Sequence, residues 1–120
     1  MAESVLLVED DRAMGEALRR LLRAAGFSVT RYASAEALLE SGAARESGCL
    51  VVDINLPGIS GLELRRRLTE SGSRARVIFI TAYEDDNLRD AAFRTGADAF
   101  FTKPFMGRDL IAALRTVLQA

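Results

Sequence analysis

The feature that most constrains this chain is a rhythm of short apolar runs. SVLLV at Ser4 to Val8, CLVV at Cys49 to Val52, VIFI at Val77 to Ile80 and AFF at Ala99 to Phe101 are each only a few residues long. Runs that short and that continuous fit strands covered on both faces. A fifth segment, FSVTRY from Phe27 to Tyr32, alternates apolar and polar residues, which predicts an edge strand with one wetter side. Between the strands the spacing is helical. Ala13, Met14, Ala17, Leu18, Leu21, Leu22 and Ala25 recur every three or four residues, and Gly26 follows as a stop. Leu110, Ile111, Leu114, Val117 and Leu118 repeat the pattern, and shorter helices fit Ala35 to Glu40, Gly61 to Thr69 and Asn87 to Arg94.

Strict alternation of buried strand and helix predicts an α/β fold with a parallel sheet, right-handed crossovers and helices on both faces. A three-layer flavodoxin-like (βα)5 arrangement with a five-stranded sheet in order 2-1-3-4-5 places the alternating second strand at an edge, although composition alone leaves other orders open. The length of 120 residues suits a single domain over residues 1–120, with no output domain in the chain. With 16 basic against 17 acidic residues, no basic face for direct nucleic-acid binding is expected. No cationic stretch precedes a long apolar run, so neither secretion nor membrane insertion is expected and the chain reads as cytoplasmic. The single cysteine, Cys49, reads as a small buried hydrophobe. The absence of histidine removes histidine bases, Ser-His and Cys-His pairs and most zinc sites.

In a sheet of this order, ligands bind at the carboxyl ends of the strands where the order reverses. Standing there are Glu9, Asp10 and Asp11 after strand 1, Asp53 after strand 3, Thr81 after strand 4, and Thr102 and Lys103 after strand 5. Carboxylates gathered this closely repel by about 4 kcal/mol per pair at ~4 Å and an effective dielectric near 20, so a cation is expected among them. Hard oxygen ligands suit Mg²⁺ or Mn²⁺. Capping of the first helix needs one acid of the three and leaves Asp53 unexplained. An Asp53 carboxylate beside such a metal is placed to attack phosphorus and form an acyl phosphate. Lys103, the only lysine in a chain whose other cations are all arginine, and Thr81 supply an ammonium and a hydroxyl for that chemistry. No glycine-rich phosphate loop is present, which disfavours a bound nucleotide. The acids Glu84 to Asp86 read as caps of the following helix, and Arg65, Arg66 and Arg67 as the wet face of the third helix.

LLVEDD, VVDINLPGISG, FITA and FFTKPF, in this order and spacing, resemble the receiver domain of bacterial two-component response regulators from Ser4 to about Gln119. The resemblance implies that Asp53 is the phosphoacceptor. It implies that Asp10 and Asp53 bind Mg²⁺ directly, Glu9 through a water, and Asn55 through its backbone carbonyl. Thr81 and Lys103 would contact the phosphoryl oxygens, and Lys103-Pro104 matches a bond the family usually holds cis. Phe100 occupies the aromatic switch position, often tyrosine, and lacks the hydroxyl for an outward hydrogen bond. Glu9 stands where aspartate is common. Tyr83 and Asn55 are expected to set how fast water reaches the phosphoryl group.

The implied partner is a sensor histidine kinase or a histidine phosphotransfer protein, docking on the first helix near Ala13, Met14 and Ala17. The implied output is a phosphorylation-dependent change of the fourth helix, last strand and last helix. That face would engage an output domain or effector protein, or a second copy in a homodimer. The domain would be a signalling switch that catalyses only its own phosphorylation and dephosphorylation. Two alternatives stay open. A haloacid-dehalogenase-type phosphohydrolase would need a second acid where Asn55 stands, and a non-phosphorylated receiver-like interaction module would be expected to have lost Asp53 or Lys103.

Overall fold

The computed structural model describes residues 3–45 and 48–119. Five strands, β1 (Ser4–Val8), β2 (Ser28–Tyr32), β3 (Cys49–Asp53), β4 (Arg76–Thr81) and β5 (Ala99–Thr102), alternate with five helices. These are α1 (Arg12–Ala24), α2 (Ala35–Ser41), α3 (Gly61–Glu70), α4 (Asp86–Arg94) and α5 (Gly107–Gln119). A 3-10 turn at Ala43–Arg45, which the apolar periodicity does not announce, joins α2 to β3. All neighbouring strands pair parallel in the order β2-β1-β3-β4-β5, as the alternation predicts. The alternating strand β2 is one edge, and β5, whose apolar run reads as covered on both faces, is the other and only half-buried, with no strand beyond it; β3 throughout and β4 after Arg76 are buried and lie inside.

Because side chains alternate across each strand, the sheet divides the core into two layers. Val8, Leu50, Val52, Val77 and Phe79 pack toward α2 and α3 with Leu38, Leu64 and Leu68. Val5, Leu7, Cys49, Val51, Ile78 and Ile80 pack toward α1 and α5 with Leu18, Leu22, Leu110 and Leu114. Burial pushes the Cys49 thiol up to about 12, as for a small hydrophobe with no ionic task.

The helices begin where the sequence supplies acceptors. Asp11 accepts from the Met14 N–H at 3.0 Å, Ser34 from Ala37, Ser60 from Glu63, and Asp85 from Asn87, so the acids before α4 do include its cap. Gly26 and Gly42 adopt positive φ after α1 and α2, a region that glycine enters without strain. One expectation fails at α3. Arg66 and Arg67 do lie on its wet face, paired with Glu63 and, for Arg66, also Glu70. Arg65 instead turns inward, donating to the Thr95 carbonyl at 3.3 Å and the Ala75 carbonyl at 2.8 Å. Its planar fork reaches carbonyls at the α4 terminus and ahead of β4, which a run of three basic letters does not disclose.

Candidate functional site

The register of β1 with β3 pairs Val8 with Val52, so the next residues along, Glu9 and Asp53, end adjacent strands side by side. One carboxylate oxygen from each of Glu9, Asp10 and Asp53 lies within 4.8 Å of the others. Glu9 is fully buried and Asp53 nearly so, while Asp10 is exposed. Two carboxylates in a dry pocket need donors. Lys103 supplies them from the far side of the sheet, its Nζ lying 2.6 Å from Glu9 Oε1 and 3.0 Å from Asp53 Oδ2. The Asn55 N–H donates to Asp53 Oδ1 at 2.9 Å, and the Asp11 N–H to Glu9 Oε2 at 3.2 Å.

Charge follows from this packing. Burial raises the Glu9 pKa above the ordinary carboxylate range; the Lys103 hydrogen bond opposes that shift and the Asp53 charge adds to it. For Lys103, burial by itself favours the neutral amine. The hydrogen bonds to Glu9 and Asp53, and their charges, outweigh it and raise the ammonium's pKa. With all three acids ionised, one ammonium leaves two negative charges uncompensated at the open end of the pocket. A cluster of hard oxygen donors with that residual charge fits a divalent cation such as Mg²⁺.

Thr81 is buried at the end of β4. Its hydroxyl donates to Asn55 Oδ1 at 2.7 Å and accepts the Tyr83 N–H at 3.2 Å. The Lys103 N–H in turn donates to the Thr81 carbonyl at 2.7 Å, tying the ends of β4 and β5 together. The structure therefore gathers Glu9, Asp10, Asp53, Asn55, Thr81 and Lys103 at one sheet end. Pro104 follows through a cis bond. Tyr83 is 61% exposed and borders an open groove with Asn55 and the start of α4. Phe100 stands away from the acids, half-buried, with its ring 6.4 Å from that of Phe93 and the Arg89 guanidinium 5.5 Å over it.

Two contacts escape a reading by motif. The Asn55 side chain, for which the motif suggests a metal-ligating backbone carbonyl and a part in water access, also holds the Thr81 hydroxyl. Arg31 on β2 reaches the Glu9 carbonyl oxygen with Nη2 at 2.7 Å. Its signal is present in FSVTRY: Phe27, Val29 and Arg31 share the apolar parity of an edge strand, where a cation needs a reason. A further groove of about 340 Å³ runs from Lys103, Pro104 and Phe105 to Met14, Ala17 and Leu21 on α1, while Ala13 lies outside its lining.

Residues 5–115 match the family described as response regulator receiver domain. The chain is 42% identical over 118 residues to the response regulator protein TmoT of Ectopseudomonas mendocina, covering 98% of this chain and 54% of that protein. It is 41% identical over 114 residues to the transcriptional regulatory protein FixJ of Azorhizobium caulinodans, covering 95% and 54%. It thus spans about half the length of these curated relatives. Among solved structures, the FixJ-N crystal structure superposes with a TM-score of 0.91 at 31% identity, over 99% of this chain and 95% of that one. A family model matched over nearly the whole chain and relatives at 42% and 41% identity agree: this chain belongs to the response regulator receiver domain family.

Proposed function

We propose that residues 1–120 form one receiver domain that acts as a phosphorylation-activated switch in the cytoplasm, with Asp53 as phosphoacceptor. The observation that carries this reading is the single ammonium of Lys103 bridging two carboxylates on adjacent strands, with a third beside them. Such a cluster, short of positive charge, is prepared for a divalent cation and a phosphoryl group. The donor is a phosphohistidine of a histidine kinase or phosphotransfer protein seated along the groove between α1 and Pro104–Phe105. An Asp53 carboxylate oxygen attacks phosphorus; the nitrogen–phosphorus bond breaks and its electron pair returns to the imidazole, which takes up a proton. Asp10, Asp53 and the Asn55 carbonyl, with Glu9 through a water, would hold Mg²⁺, which would supply charge neutralisation at the phosphoryl oxygens.

The protein's own groups do the rest. Lys103, already against Asp53 Oδ2, follows the negative charge onto a phosphoryl oxygen. The Thr81 hydroxyl leaves Asn55 Oδ1 to donate to another, drawing the loop after β4 inward. Phe100 then exchanges its place beside Phe93 and Arg89 for an inward one, and the face made by α4, β5 and α5 presents a changed surface to an output domain, an effector or a second copy. Shifting such an equilibrium from 1:99 to 99:1 takes about 5.5 kcal/mol of differential phosphoryl contact. In hydrolysis, water attacks phosphorus and the oxygen–phosphorus bond breaks, returning the Asp53 carboxylate and inorganic phosphate. Tyr83 and Asn55 at the mouth control that access.

The test is incubation with Mg²⁺ and a small acyl phosphate donor followed by intact mass. A one-phosphoryl adduct that disappears in Asp53→Asn is expected. Multiple turnover of phosphate esters, or no adduct at all, would overturn the reading.

A further inference from the structure

Arg31 belongs to the edge strand, yet its guanidinium works at the end of its neighbour. The last register pair of β1 with β2 is Val8 with Tyr32. One residue beyond it, the Glu9 N–H still donates to the Tyr32 carbonyl at 3.1 Å, and the Glu9 carbonyl accepts from Arg31 Nη2 at 2.7 Å. Both polar groups of Glu9's backbone are thus held by β2, one by its backbone and one by a side chain that takes over where the ladder stops.

Two observations bear on this contact. A Cβ on Gly15, inside α1, would lie 2.1 Å from Arg31 Nε and under 3 Å from its Cδ and Cζ, so the helix has given up a side chain to admit the guanidinium. Glycine inside a helix is unfavourable relative to alanine, and here the guanidinium fills the space a side chain would take. Arg31 Nε is itself buried without a partner. The guanidinium is therefore not seated by its own hydrogen-bonding demand, and its one hydrogen bond among the described residues goes to Glu9.

We propose that Arg31 is a positioning residue for the acidic cluster, fixing through the Glu9 carbonyl the turn that sets Glu9 and Asp10 beside Asp53, with Gly15 as the seat this requires. The inference rests on the reading of that cluster as a divalent-cation site. Charge and geometry give it opposite signs. By charge alone an arginine near the acids repels a divalent cation, so removing it would tighten binding. By positioning, removing it weakens binding.

Mn²⁺ titration followed by the loss of the free-ion magnetic resonance signal, alongside thermal unfolding, separates the two. Arg31→Met is expected to weaken Mn²⁺ about tenfold, as loss of a group that orients metal ligands does. Gly15→Ala pushes the guanidinium off Glu9 while keeping every charge. It is expected to weaken Mn²⁺ similarly while unfolding at the same or a higher temperature, since alanine is the better helix former. Arg31→Lys, which keeps charge but not the fork, should fall between. Should Arg31→Met fail to fold, Gly15→Ala decides, because the clash it creates is with the far end of a flexible side chain. Unchanged or tighter binding in Gly15→Ala overturns the role of Arg31. Failure of the unaltered protein to bind Mn²⁺ overturns the cation reading beneath it.

Discussion

Replacing Lys103 by methionine keeps the length of the side chain and removes the cation that, alone among the described residues, bridges Glu9 and Asp53. The two acids then face each other at no more than 4.8 Å, with Glu9 wholly buried. At that distance and an effective dielectric near 20, their repulsion is about 3.5 kcal/mol. Breaking a buried pair from one side costs about 3–5 kcal/mol in general. We expect about 3 kcal/mol here, toward the low end, because Glu9 relieves the repulsion by taking a proton. That gives the loss a pH dependence. Without the ammonium, Glu9 moves further above the ordinary carboxylate range than burial already places it. A carboxyl whose pKa is higher folded than unfolded contributes stability below its unfolded value and loses it as pH rises through the folded one. The deficit in urea unfolding should therefore be largest near about pH 7.5 and shrink toward about pH 5. Mg²⁺ should stabilise the variant more than the unaltered protein, since it meets more uncompensated charge. A deficit below about 1 kcal/mol at the higher pH, or one equal at both, would refute the argument that Lys103 is the counter-ion of this pocket.

Gly61→Ala should destabilise by about 2 kcal/mol in chemical denaturation, because its Cβ would fall 2.7 Å from the Asp53 carbonyl oxygen and 2.9 Å from the Ile54 Cα, atoms that cannot step aside. Cys49, its thiol pushed up to about 12 by burial, should resist iodoacetamide at mildly alkaline pH and label only in step with unfolding; rapid labelling of the folded protein would contradict its burial. Arg65→Ala should cost about 2 kcal/mol and raise amide hydrogen exchange at the C-terminal turn of α4, where the Thr95 carbonyl loses its donor.

The fold was legible because its evidence is periodic. Four unbroken apolar runs and one alternating run mark the five strands and put β2 at an edge, though they do not show that the apolar β5 is the other edge, and Asp11 and Asp85 mark helix starts. Strand limits were less exact: β4 opens at the exposed Arg76, paired with Cys49, a residue that hydropathy does not favour. The cluster of acids was legible because strand order alone sets Glu9 beside Asp53. What sequence did not disclose are the long side chains that reach across elements. Arg65 looked like a solvated cation because its neighbours Arg66 and Arg67 are, and only the third dimension puts the Thr95 and Ala75 carbonyls within its reach. Arg31 and Gly15 are sixteen positions apart, so their fit, and the carbonyl they serve, belong to tertiary packing.

The division of the core by the sheet bears on how such a chain can diverge. Phe100 packs with the layer that holds Leu88 and Phe79, whereas Met14, Leu21 and Phe105 of the α1 groove pack with the other. On the proposed reading, the ring that reports phosphorylation and the surface that chooses the donor rest on opposite sides of a common wall. Substitutions around the groove leave the packing of Phe100 intact, so a lineage can acquire a new phosphate donor while keeping that ring's response, whereas α5, packed in the groove's own layer, couples donor choice to the rest of the output face.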